Sequence, residues 1–212
     1  MAADVLLVHG LWMHDIAMRW LATRLRAQGF APGGFGYYSL LQDSDAVVSR
    51  LAGVLASRPG MHVVAHSLGG LLTLRAITRL GTAHAGRVVC LGSPLAGSAA
   101  AEAIATRGAL GRLLVGSSRD LLQSGIGRVP AGVEVGAVAG CVPRGLGGLL
   151  ARFDGEHDGT VAVAETRLPM LADHIVVPAS HSGLLFSGQA VRQAGCFLRN
   201  GHFERAVGPA AV

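Results

Sequence analysis

The stretch Val63-Val64-Ala65-His66-Ser67-Leu68-Gly69-Gly70 constrains the fold of this chain more than any other. Met61 to Ala65 are apolar or β-tolerant, and from Leu68 the apolar residues Leu71, Leu72, Leu74 and Ile77 recur at helical spacing. A buried strand therefore stops at a serine and turns directly into a helix. A serine in such a turn is held in strained backbone, and strand and helix approach so closely that small residues must flank it. Gly69 meets that need on one side and Ala65 on the other. A serine that merely caps a helix would look similar over this window, so the rest of the chain has to decide.

The remaining elements alternate. Residues 5 to 8 form a short apolar strand that ends in His9-Gly10, and Ala17 to Gln28 has helical spacing with Gly29 as a stop. Phe35 to Leu40 reads as a second strand, and Asp43 to Ser57 as a helix ended by Pro59-Gly60. After the serine turn come a helix from Leu68 to Leu80, a strand from Arg87 to Gly92, and two helical pieces within 98 to 123 separated near Gly108. Val133 to Gly140 alternates as a strand, 141 to 153 is a glycine-rich loop, Asp173 to Val177 is a last strand, and Gln189 to Arg199 a closing helix. Six strands alternating with helices predict an α/β fold with a mainly parallel sheet covered on both faces. A single domain over residues 1–212 is expected, with 98–130 as a small helical cap and 201–212 as a loose tail.

The landmarks of this order resemble an α/β-hydrolase, and more narrowly the small bacterial lipases and esterases. The first strand ends in His9-Gly10-Leu11, and Ala65-His66-Ser67-Leu68-Gly69-Gly70 stands where that family has its nucleophile elbow, G-x-S-x-G, with alanine for the first glycine. Ser93-Pro94 closes the next strand, Asp158-Gly159-Thr160-Val161 follows, and a histidine comes last. The resemblance spans residues 4 to 200. It implies a minimal α/β-hydrolase fold without the family's two leading antiparallel strands.

A serine hydroxyl is a weak nucleophile unless a base takes its proton and a third group orients that base. In open parallel sheets the functional residues gather beyond the carboxyl ends of the strands. That rule selects His181, which follows the last strand, over His174, which lies at that strand's start, and over His202, beyond the closing helix. His66 adjoins the serine but cannot readily swing back to its hydroxyl, and His9 reads as a structural hydrogen-bonding group. His14, His62, His84 and His157 read as surface or satisfied polar groups. For the acid, Asp154, Glu156 and Asp158 share the right loop and Asp173 is an outsider. The resemblance favours Asp158, since Gly-x-Val follows it as in the lipases, although Asp-Gly is also a common turn pair. The order Ser67, Asp158, His181 is that of α/β-hydrolases. The backbone N–H of Leu68 is a candidate oxyanion donor at a helix N-terminus, and the resemblance implies Leu11 as the second. Trp12 and Met13 are candidate substrate contacts.

Other chemistries fare worse. Glu156-His157-Asp158 is a triplet of ligand-type residues, but adjacent side chains point apart, so no metal is expected; no G-x-G-x-x-G follows the first strand, so no dinucleotide or other cofactor is expected. The net charge is +5 with every cation an arginine, yet these are dispersed and aromatics make up 5%, which argues against nucleic acid. No apolar run is long enough to cross a bilayer and no signal peptide is evident, so a cytoplasmic location is the default. Cys90, Cys141 and Cys196 have no paired spacing and read as buried free thiols. The expected function is cleavage of small lipid-like or aryl carboxylic esters through an acyl-enzyme. Alternatives are a thioesterase or acyltransferase, or a non-catalytic binding domain on the same fold.

Overall fold

A computed structural model describes residues 3–11, 13, 15–39, 42–81, 85–106, 116–144, 153 and 155–205. Six strands form one sheet: β1 (Ala3–Val8), β2 (Phe30–Phe35), β3 (Met61–His66), β4 (Ala85–Leu91), β5 (Val135–Gly140) and β6 (Asp173–Val177). Their order is β2-β1-β3-β4-β5-β6 and every pairing is parallel. The helices are α1 (Arg19–Ala27), α2 (Ser44–Ser57), α3 (Leu68–Leu80), α4 (Ala99–Ala105), α5 (Arg119–Ser124) and α6 (Gly188–Asn200).

The central strands β1, β3, β4 and β5 are largely apolar because both of their faces are covered. The two-residue period sorts their side chains. Leu6, Val8, Val63, Ala65, Val88 and Cys90 pack with α2, α3, α4 and α5 on one face. Val5, Leu7, Val64, Val89, Leu91 and Val138 pack with α1 and α6 on the other. Caps fix the helix starts: Asp43 accepts from the Ala46 N–H of α2, Ser98 from Ala101 of α4 and Ser187 from Ala190 of α6.

The chain lays β2 on one side of β1 and then returns to add β3 on the other. The strand order therefore reverses between β1 and β3, the place beyond whose carboxyl ends open α/β sheets carry their ligand sites. His9-Gly10-Leu11 and Ser67 lie at that place.

Two expectations need correction. The second strand is Phe30–Phe35, not Phe35–Leu40. Its Pro32-Gly33-Gly34 speaks against a strand, but β2 is an edge strand, where a missing N–H is tolerated. The thiols are all free, but only Cys90 is buried; Cys141 and Cys196 are half-exposed. The two helical pieces in the 98–123 region are present as α4 and α5, which pack against the α3 side of the sheet. The expected break near Gly108 lies outside the described residues, as do 206–212 of the expected tail. Among the described residues no helix is long and apolar enough to cross a membrane.

Candidate active site

The turn after β3 fulfils the steric expectation. Ser67 has φ 54° and ψ −126°, a left-handed backbone that few residues other than glycine adopt. Its N–H donates to the Leu91 carbonyl on β4 at 2.9 Å, which anchors the turn to the sheet. Ala65 is fully buried, and a Cβ on Gly69 would lie 2.5 Å from the Val8 carbonyl oxygen, so only glycine fits there. The serine makes no capping bond to the helix it precedes. Its hydroxyl points elsewhere.

Ser67 Oγ lies 3.0 Å from His181 Nε2, and His181 Nδ1 lies 2.8 Å from Asp158 Oδ2. His181 sits on the short loop between β6 and the 3-10 helix Ser182–Phe186, and its backbone N–H donates to the Asp158 carbonyl at 2.9 Å. Asp158 is 1% exposed. Its other carboxylate oxygen accepts from the N–H groups of Thr160 (2.9 Å) and Val161 (2.8 Å), an Asx-type turn eased by Gly159 at φ 96°. The turn and the contact to histidine thus coexist, one on each carboxylate oxygen. A carboxylate at Nδ1 selects the tautomer whose Nε2 is bare and able to accept from a hydroxyl.

The other candidates lie elsewhere. His174, the second residue of β6, pairs through Nε2 with Thr166 Oγ1 at 2.8 Å, and burial holds it down at about 4. Asp173 pairs with Arg205, and Glu156 is exposed. His62 accepts from the Arg87 N–H, His157 from the Gly159 N–H, and His202 lies past α6. Asp154, His14, His84 and Trp12 lie outside the described residues. Met13 is half-buried against the α1–α6 side of the core and Leu11 against the opposite side. Leu68 opens α3, where a first-turn N–H has no partner within the helix. Among the described residues no group of three His, Cys, Asp or Glu could hold a metal ion.

Two contacts escape sequence reasoning. Tyr37 stacks on His9 with ring centroids 4.2 Å apart, and its hydroxyl donates to the His9 carbonyl at 2.8 Å. His66, buried beside the serine, reaches the His181 carbonyl with Nε2 at 2.9 Å. Neither is visible in local spacing, because both join segments far apart in the chain.

This sheet order, turn and loop placement define the α/β-hydrolase fold. No protein-family model matches the sequence, and no curated protein matches it. Solved structures do. The mature Bacillus licheniformis lipase BlEst2 is 21% identical, with 94% of this chain and 92% of that one covered at a TM-score of 0.76. The Bacillus subtilis carboxylesterase CesB is 17% identical, with 94% and 84% covered at 0.58. A tomato methylketone synthase in complex with 2-tridecanone is 12% identical, with 87% and 92% covered at 0.58. The chain has the α/β-hydrolase fold, which hosts more than one reaction.

Proposed function

We propose that this protein is a serine hydrolase that cleaves carboxylic esters through an acyl-enzyme, with Ser67 as nucleophile, His181 as general base and acid, and Asp158 as the group that orients His181. The observation that carries the reading is the unbroken hydrogen-bond chain Ser67–His181–Asp158, which begins at a serine in strained backbone at the head of a helix. A serine with only a structural role gains nothing from that strain or from a base at 3.0 Å.

Ser67 Oγ attacks the ester carbonyl carbon while His181 Nε2 takes the hydroxyl proton. The oxyanion is received by the Leu68 N–H, with the α3 dipole adding to it, and, by the resemblance, by the Leu11 N–H. Collapse breaks the bond to the leaving alkoxide, which takes the proton back from His181. Water then attacks the acyl-enzyme with His181 again as base; the bond from the acyl carbon to Ser67 Oγ breaks, Oγ takes the proton back from His181, and the acid departs. Asp158 keeps its hydrogen bond to His181 Nδ1 throughout and steadies the imidazolium. Similarity to structures described as a lipase and a carboxylesterase supports ester substrates. The apolar Leu11, which follows a Gly10 whose Cβ, if it had one, would lie 2.7 Å from Ser67 Cβ, supports small lipid-like or aryl acyl groups.

Hydrolysis of p-nitrophenyl esters from acetate to palmitate by the protein and its Ser67→Ala variant tests this reading. Turnover reduced to background in the variant is the expected result. Turnover retained in Ser67→Ala overturns it, as does a folded wild type that neither hydrolyses any ester nor labels with a fluorophosphonate.

A further inference from the structure

His181 is anchored at four points. Two bonds go to Asp158, from the ring and from the backbone N–H, and one goes to the serine hydroxyl. The fourth is its carbonyl oxygen, which accepts from His66 Nε2 at 2.9 Å. Because a carbonyl can only accept, the proton of the His66 ring is on Nε2 and Nδ1 is bare. That Nδ1 is buried and among the described residues has no hydrogen-bond partner; it faces Gly10, whose Cβ, if it had one, would lie 3.2 Å away.

A buried acceptor without a partner is a cost that a leucine or phenylalanine at the same place would avoid. The imidazole is therefore explained by the bond at its other nitrogen. We propose that His66 is a positioning residue for the base: by donating to the His181 carbonyl it ties the loop that carries the imidazole to the turn that carries the serine. The inference rests on the proposed roles of Ser67 and His181.

The tie closes a small ring. Ser67 and His181 are 114 residues apart in sequence, but through His66 they are joined by one residue step, one side chain and one hydrogen bond. The separation of Oγ and Nε2 is then set locally and does not depend on how the whole sheet breathes. The rings of His66 and His181 lie 4.7 Å apart. Burial above all, with the charges of His181 and His9 adding to it and the bond to the His181 carbonyl and Asp158 opposing, holds His66 down at about 3, so it stays uncharged beside a ring that must become a cation.

The test compares His66→Gln, whose side-chain amide keeps a donor near the place of Nε2, with His66→Asn, whose amide ends near Nδ1 and cannot reach. Should His66→Asn fail to fold, His66→Phe, which fills the ring volume without a donor, replaces it. Three readouts are taken: kcat and KM on a p-nitrophenyl ester, the thermal midpoint, and the far-downfield proton resonance of the N–H between His181 and Asp158. The glutamine variant is expected within about threefold of wild-type kcat, and the asparagine variant (or phenylalanine in its place) about 10- to 100-fold lower with KM little changed. The resonance is expected to persist in the first and to broaden or vanish in the second. Equal kcat and equal resonance in both overturn the proposal, whatever the thermal midpoints, and so does a glutamine variant that falls as far as asparagine. If wild type hydrolyses no ester, the resonance still decides the role of His66, and only the proposed function fails.

Discussion

The backbone of Gly69 rests against the carbonyl oxygen of Val8, so that a Cβ on Gly69 would lie 2.5 Å from that oxygen and 2.6 Å from the carbonyl oxygen of His9. No rotamer change relieves such a contact, since both partners are main chain. Gly69→Ala must push α3 away from β1 and open the serine turn. Overpacking of this kind costs about 1–3 kcal/mol, and a 1 Å displacement of reacting groups costs about 10²-fold in rate. The expected outcome is a lowered thermal midpoint with kcat on p-nitrophenyl esters reduced by about two orders of magnitude. A variant with wild-type turnover would show that the turn tolerates the displacement.

Asp158→Asn separates orientation from turn-building. The amide oxygen can still accept from Thr160 and Val161, which hold the loop, while the amide nitrogen presents a donor to His181 Nδ1. The imidazole is then driven to the tautomer with the proton on Nε2, which cannot accept from Ser67. The fold should survive with a small change in midpoint. Turnover should drop by about 10⁴, the loss known for a triad carboxylate replaced by its amide. The measurement is kcat beside the rate of fluorophosphonate labelling, and both should fall together.

Much of this was legible because the serine turn joins two periodicities. The apolar run to His66 and the helical spacing from Leu71 leave no room between them for anything but a sharp turn. His181 was legible through sheet logic, since a residue after β6 falls on the same edge as one after β3. The second strand was not. Phe35, Tyr37 and Ser39 are indeed buried while Gly36 and Tyr38 are exposed, a true alternation, but beyond Phe35 the chain has already left the sheet. Burial follows the period and hydrogen bonding does not, so periodicity alone misplaced the element. The partners of Tyr37 and His66 depend on tertiary contacts that no window of sequence contains.

Tyr37 holds the segment that leads to Leu11. Its hydroxyl donates to the His9 carbonyl while its ring stacks on the His9 imidazole, and burial raises its phenol well above the usual range. Tyr37→Phe removes the bond and keeps the stack. A buried hydrogen bond is worth about 1 kcal/mol net, which for a chain of this length shifts the midpoint by about 2–4 °C. Loosening the His9 carbonyl also loosens the next peptide groups, where Leu11 is proposed to receive the oxyanion. The expected outcome is this modest midpoint shift with a several-fold fall in kcat. An unchanged kcat would detach Tyr37 from the oxyanion segment.

Stability should fall steeply in mild acid. Burial lowers the pKa of three histidines below the ordinary 6.5: His66 to about 3, His174 to about 4 with help from Arg167, and His62 with help from Arg87. Between those values and 6.5 the unfolded chain binds protons that the folded chain refuses, so stability is fully present above about 6.5 and is lost as pH falls. A fully buried histidine such as His66 contributes at most about 1.4 kcal/mol per pH unit, and the half-exposed His62 and His174 less, because solvent screens them. Glu165 works in the opposite sense, since burial raises its pKa and the folded state retains its proton above 4.5. One carboxylate against three histidines leaves a net loss. Denaturant unfolding at intervals from pH 7.5 to pH 4.5 should therefore show a decline that becomes shallower in His174→Gln, which removes one of the three groups. A profile that is flat across this range, or unchanged by that substitution, would mean that these histidines are protonated in the folded protein.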